Sequence, residues 1–158
     1  MFRPIRKKNN EISADKINEL LCSSRRGVLA INGEEGYPYA IPINYIYDDI
    51  NGKIYFHSSR IGYKIDALKK CDKICFTVIG QEIVKKEKWA PYVKSVIVFG
   101  RCYPIENREE TKKRLKQFAM KYYPNEQMVD EEINGFEQAV QMFEIIVEHI
   151  SGKEVQER

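Results

Sequence analysis

The chain has 158 residues, 43% of them hydrophobic and 11% aromatic, with 26 basic residues set against 23 acidic ones for a formal charge of +3. This length suits one domain with a real core, the apolar content excludes a disordered chain, and no apolar run approaches the roughly 20 residues that a membrane helix needs. The charge is spread along the chain apart from one basic cluster at 3–8, a weak basis for holding nucleic acid, and "MFRPIRKKNNEIS" lacks the order of a signal peptide; the expectation is one cytoplasmic domain over 1–158, with 1–11 as a flexible arm.

Ser13 has the place of a helix N-cap, with Ile12 and Ile17 as a hydrophobic staple and Ile17, Leu20 and Leu21 as the apolar face. "RGVLAING" and "GYPYAIPINYIYDD" then read as strands, Asn51-Gly52 is a hairpin turn, and "KIYFHS" is a third strand. Pro38 and Pro42 inside the second strand predict an edge or a bulge. After Ser59 the period becomes helical at Ile61, Ile65 and Leu68, and "ICFTVIG" and "KSVIVFGRCYPI" return to strand, with Gly100 marking a bulge or a close backbone approach. Asn107 and Glu110 open a helix faced by Leu115, Phe118, Ala119 and Tyr122 and stopped at Pro124; a second helical stretch covers about 130–141, and "FEIIVEHISGKEV" is the last strand. Six mostly antiparallel strands, several apolar on both faces, need two covers, so the predicted fold is mainly β: a small barrel with peripheral helices. The cysteines, Cys22, Cys71, Cys75 and Cys102, are scattered and are expected as reduced thiols; with only His57 and His149 beside them, no metal site is expected.

Chemistry-bearing residues concentrate in "YFHSSRIGYK", residues 55–64, where a strand hands over to a helix. With Ser58 and Ser59 near the N-cap and Gly62 in the first turn, the helix start offers free N–H groups and a positive dipole end. Arg60 and Lys64, four apart, are cations at the end where a helix disfavours them, unless an anion binds there. Two hydroxyls, two cations and a helix N-terminus together resemble a phosphate monoester site, to which His57 could add a donor. The plainer alternative has Ser59 only capping the helix, Arg60 and Lys64 solvated, and His57 satisfied in the barrel. Asn44 and Tyr45 are expected on the strand hydrogen-bonded to this one, where they and the backbone beside Pro42 could meet a flat aromatic ligand; Trp89 and Tyr92, with Ser95 in the same stretch, read by themselves as packing under a loop and gain weight only in combination.

Taken in order, "GVLAING", "GYPYAIPINYIYD", "IYFHSSRIGYKIDAL", "ICFTV", "YVKSVIVFGR" and "ISGKE" resemble the pyridoxamine 5′-phosphate oxidase-like split-barrel flavoproteins, specifically their nitroimidazole-resistance branch, over about residues 25–153. The resemblance implies a six-stranded antiparallel split barrel of FMN-binding type, assembled as a homodimer with flavin at the subunit interface. It gives Ser58, Ser59 and Lys64 to the phosphate and places His57 beside the flavin, with Phe56 in the same motif. Pro42, Ile43, Asn44 and Tyr45 border the ring, while Trp89, Tyr92, Ser95 and Val96 approach it, in many relatives from the partner subunit. The chain lacks the arginine- and histidine-rich C-terminal motif with which pyridoxamine phosphate oxidases hold substrate.

An FMN-dependent oxidoreductase is therefore expected, carrying electrons from NAD(P)H to nitroaromatic, nitroimidazole-like or related small acceptors, with His57 as the candidate proton-transfer residue. No G-x-G-x-x-G occurs, so a nicotinamide donor would visit the flavin face transiently. A non-catalytic flavin-binding redox sensor or carrier would keep the same contacts, and haem or a deazaflavin could occupy the same cleft.

Overall fold

The computed structural model describes residues 1–123, 125–136 and 140–157. Helix α1 (Ala14–Ser23) starts at Ser13, whose side chain accepts from the Lys16 amide, and the staple residues Ile12 and Ile17 are buried against Gly152. Strand β1 (Arg26–Asn32) and strand β2 (Pro38–Asn44) form the first hairpin, in register from Arg26↔Asn44 to Asn32↔Pro38. β2 pairs on one side only, which accommodates both prolines as expected.

The run "GYPYAIPINYIYDD" is not one strand. It breaks at Tyr45, and strand β3 (Ile46–Asp48) pairs instead with strand β4 (Lys53–Ser59) across the Asn51-Gly52 turn. Helix α2 (Tyr63–Lys70), strand β5 (Lys73–Ile79) and strand β6 (Tyr92–Pro104) follow, then helix α3 (Arg108–Tyr122), helix α4 (Glu126–Phe136) and strand β7 (Val140–Gln156). One seven-stranded antiparallel sheet results, in the order β2-β1-β5-β6-β7-β4-β3. β2 and β3 occupy its opposite edges yet are joined through Tyr45, so the sheet must curl until the edges meet. The barrel is thus split along one seam, and the expected six strands become seven because the second serves both edges.

At that seam Tyr45 is fully buried and its backbone groups lie outside the ladders. The Tyr122 hydroxyl, on α3, accepts from the Tyr45 amide at 2.9 Å and donates toward the Tyr45 carbonyl at 2.7 Å and the Arg25 carbonyl at 2.5 Å. Leaving such a buried amide unmet costs about 1–3 kcal/mol, so this hydroxyl stabilises the break itself.

The core runs through the barrel along Leu29, Ile54, Phe56, Phe76, Val96, Val98 and Ile145. Gly100 sits at the register shift between Phe99 and Gly100, as the sequence led one to expect, and a Cβ there would overlap the Ile146 carbonyl oxygen. Gly100→Val is expected to lower stability by about 1–3 kcal/mol, read as an earlier urea midpoint with unchanged slope.

α3 is capped by Asn107, which accepts from the Glu110 amide at 2.9 Å, while Leu115 and Phe118 pack on Tyr55 and Met142. The helix expected over about 130–141 lies earlier, at Glu126–Phe136, and β7 begins at Val140. The part of that expectation falling on 137–139, and the stop at Pro124, lie outside the described residues. Near the N-terminus, Glu11 bridges to Lys153 and the Phe2 ring stacks on His149 at 4.8 Å.

Candidate functional site

β4 alternates at its end: Phe56 points into the barrel and His57 out of it. β2 comes close to β4 without pairing to it, and carrying the Ile46↔Tyr55 register two residues past the break would set Asn44 opposite His57. Asn44 therefore lies on a different strand from the expected one: β2 is bonded to β1, while β4 is bonded to β3 and β7. On β2, Pro42 and Asn44 face outward, while Ile43 and Tyr45 are buried.

The turn into α2 differs from expectation in one respect. Its N-cap is Gly62, at φ 126° and with no side-chain cap bond, while Ser59 lies three residues earlier and donates its hydroxyl to the Ile61 carbonyl at 2.7 Å. Arg60 accordingly precedes the helix and reaches Gln141, rather than sharing a helical face with Lys64. A left-handed φ favours glycine, and no atom lies within 4 Å of where a Gly62 Cβ would stand, so the backbone is open to approach. The amides of Tyr63 and Lys64, the first of the helix, have no acceptor among the described residues.

Lys64 is half-buried, its amine 5.6 Å from the centre of the Phe56 ring, and no carboxylate pairs with it among the described residues. Burial pushes its pKa down, with the Cys102 thiol acting weakly in the other direction. A desolvated cation beside free helix amides is an arrangement that an anion would complete. The donor set thus fits the phosphate of a nucleotide cofactor.

His57 is exposed, and its ring meets that of Phe118 in a T-shaped contact with centroids 4.7 Å apart. Burial, and then the Lys64 charge, lower its pKa from 6.5. The imidazole is therefore neutral at pH 7 and able to accept a proton. Because the folded form resists protonation more than the unfolded form, stability falls as pH drops through the unfolded value of about 6.5. NMR titration is expected to place His57 below 6.5, and Lys64→Met to move it up without reaching that value, since desolvation remains.

Trp89, Tyr92, Ser95 and Val96 are elsewhere. Val96 pairs with Gly152, whereas Phe56 pairs with Phe143, itself opposite Pro104. The eight steps along the strand from Val96 to Pro104 span about 26 Å, so within one chain these residues do not join the His57–Lys64 corner. Trp89 is 80% exposed in the β5–β6 loop, Tyr92 carries the Lys85 amine over its ring at 3.9 Å, Ser95 is half-buried, and the Val96 side chain is in the core.

The sequence assigned Phe118 and Tyr122 to an apolar helix face but gave no role to Lys121, which donates to the Ser24 carbonyl at 2.6 Å and the Tyr45 carbonyl at 3.1 Å. Burial pushes its pKa down to about 8. Helical spacing shows which residues face inward; it gives no sign of which distant carbonyls they meet.

A family model described as pyridoxamine 5′-phosphate oxidase matches residues 13–154. Among curated proteins no relative matches the sequence. The fold is shared with a candidate 5-nitroimidazole antibiotic resistance protein of Bacteroides thetaiotaomicron, at 21% identity and TM-score 0.74, covering 90% of this chain and 84% of that one. It is also shared with a FAD-binding protein of Mesorhizobium loti, at 21% identity and TM-score 0.67 over 92% and 96% of the two chains. A FAD and haem binding protein of Mycobacterium smegmatis gives 17% identity and TM-score 0.72 over 92% and 72%.

Proposed function

The chain belongs to the pyridoxamine 5′-phosphate oxidase family, and on that footing we propose that it binds FMN and acts as an oxidoreductase, passing electrons from NADH or NADPH to nitroaromatic, nitroimidazole-like or related small acceptors. The main support is Lys64: an amine half-buried near an aromatic ring, with no carboxylate partner among the described residues, beside the amides that open α2 and have no acceptor among them. FAD is named for two of the structural neighbours and 5-nitroimidazole antibiotic resistance for a third, which supports a flavin in general as the ligand and suggests the class of acceptor.

Lys64, the Tyr63 and Lys64 amides and the hydroxyls of Ser58 and Ser59 would hold the phosphate, with Gly62 leaving the backbone open. Pro42, Ile43 and Asn44 would border the ring, since the free edge of β2 offers backbone groups that no strand takes up. Bound flavin supplies the hydride and electron chemistry. His57, neutral at pH 7, would hold or move a proton at a ring nitrogen.

The proposal includes a homodimer. Two rows of cross-strand neighbours on the outer face of the sheet are apolar or small, Pro42·Val28·Thr77·Ile97 and Ala40·Ala30·Cys75·Phe99. Joining two copies there would let the β5–β6 loop of one, with Trp89, and the start of its β6, with Tyr92 and Ser95, reach the corner of the other. Among the described residues no helix is long and apolar enough to cross a membrane, and the proposed setting is the cytoplasm. FMN-loaded protein should oxidise NADH or NADPH steadily when a nitroimidazole is supplied. Binding of FMN without turnover from either donor would leave a flavin carrier and remove the oxidoreductase.

A further inference from the structure

The two walls of the proposed flavin site are not hydrogen-bonded to each other. Among the described residues β2 pairs only with β1, and β4 only with β7 and β3, so no ladder among them sets the gap between β2 and β4. One element outside the sheet touches both sides. On α3, Phe118 lies edge-on against the His57 ring at 4.7 Å, and one turn later Tyr122, stacked on Phe118 at 4.8 Å, binds the amide and carbonyl of Tyr45, the residue after Asn44. Lys121 adds its bonds to the Ser24 and Tyr45 carbonyls, and the Arg25 guanidinium covers the Tyr122 ring at 4.8 Å.

We infer that α3 is the strut that fixes the width of the flavin site, with Tyr122 as the positioning residue for the β2 wall and Phe118 as its counterpart on His57, an inference that rests on the flavin proposal above. Tyr122 touches no ligand in this account. It holds the seam where the chain changes edges, and through that seam the register of Pro42–Asn44 relative to the His57–Lys64 corner. A neighbouring helix that merely covered the core would need an apolar residue at this place; a hydroxyl serving three backbone partners is what a fixed seam needs.

The test is Tyr122→Phe, with Lys121→Met as a second variant should the first fold poorly and Val129→Ala on α4 as a control that lowers stability away from the seam. FMN affinity is read by fluorescence quenching, and the bound flavin by visible circular dichroism at saturation. Tyr122→Phe is expected to weaken FMN about tenfold, the equivalent of one lost bond of about 1.4 kcal/mol, and to alter the dichroism of the bound flavin. Lys121→Met should shift both in the same direction by less, and the control should move neither. Tyr122→Phe protein with wild-type affinity and dichroism overturns the strut while flavin binding stands, as does a control that shifts them equally. Wild-type protein that takes up no FMN overturns the flavin proposal and the strut together.

Discussion

Lys64→Met is expected to weaken FMN binding roughly 10- to 150-fold, because a hydrogen bond to a charged group is worth about 1.5–3 kcal/mol and each 1.4 kcal/mol is tenfold. Methionine keeps a straight apolar stem, so packing near Phe56 survives and the loss falls on the charge. The direction of the stability change separates this from general damage. In the ligand-free protein the ammonium is partly desolvated and has no carboxylate partner among the described residues, and burial pushes its pKa down. The variant without ligand should therefore melt no earlier than wild type, and its midpoint should rise less on adding FMN, since stabilisation by a ligand follows its affinity. Equal FMN affinity in variant and wild type would mean that the corner at the start of α2 does not hold the phosphate.

Ala30→Glu is expected to convert a dimer into monomers. Ala30 lies mid-strand on the outer sheet face, between Ala40 and Cys75 on the neighbouring strands, with Val28 and Asn32 on either side along β1. In a monomer the new carboxylate stands in water and costs little, within about 0.5 kcal/mol for an ordinary surface change. Within an apolar interface it would be buried without a partner, a penalty of about 3–5 kcal/mol that weakens association by more than 100-fold. Sedimentation velocity reads the change directly. FMN affinity should fall with it, because Trp89, Tyr92 and Ser95 lie along β6 and its loop, far from the corner of their own chain. A variant that remains dimeric would show that copies do not meet on this face, and a monomeric wild type would remove the shared site.

Much of this architecture was legible from local pattern. Ser13 and Asn107 cap the helices that their spacing announced, Asn51-Gly52 turns the hairpin, and Gly100 marks the register shift. These features depend on residues a few positions apart. The break at Tyr45 was not legible, because "AIPINYIY" alternates as one strand and the change of partner is decided by Tyr122, 77 residues away. The start of α2 was misplaced for a related reason. Two serines before an apolar helical period look like caps, but the Ser59 hydroxyl turns to the Ile61 carbonyl, and the conformation of Gly62 starts the helix instead. Of the candidate site, the cationic corner could be read because its residues are contiguous in sequence. The position of Ser95 and Val96 far along β6 could not, since that depends on the register of β6 with β7 and of β7 with β4.

Titration of FMN with the purified wild-type protein, followed by quenching of flavin fluorescence and by the visible absorbance of the complex, tests the flavin site most directly. Saturable binding of one FMN per chain, weakened by Lys64→Met, is the expected result. A colourless protein that leaves FMN fluorescence unchanged at every concentration reached would contradict the assignment of the α2 corner, and with it the proposed oxidoreductase.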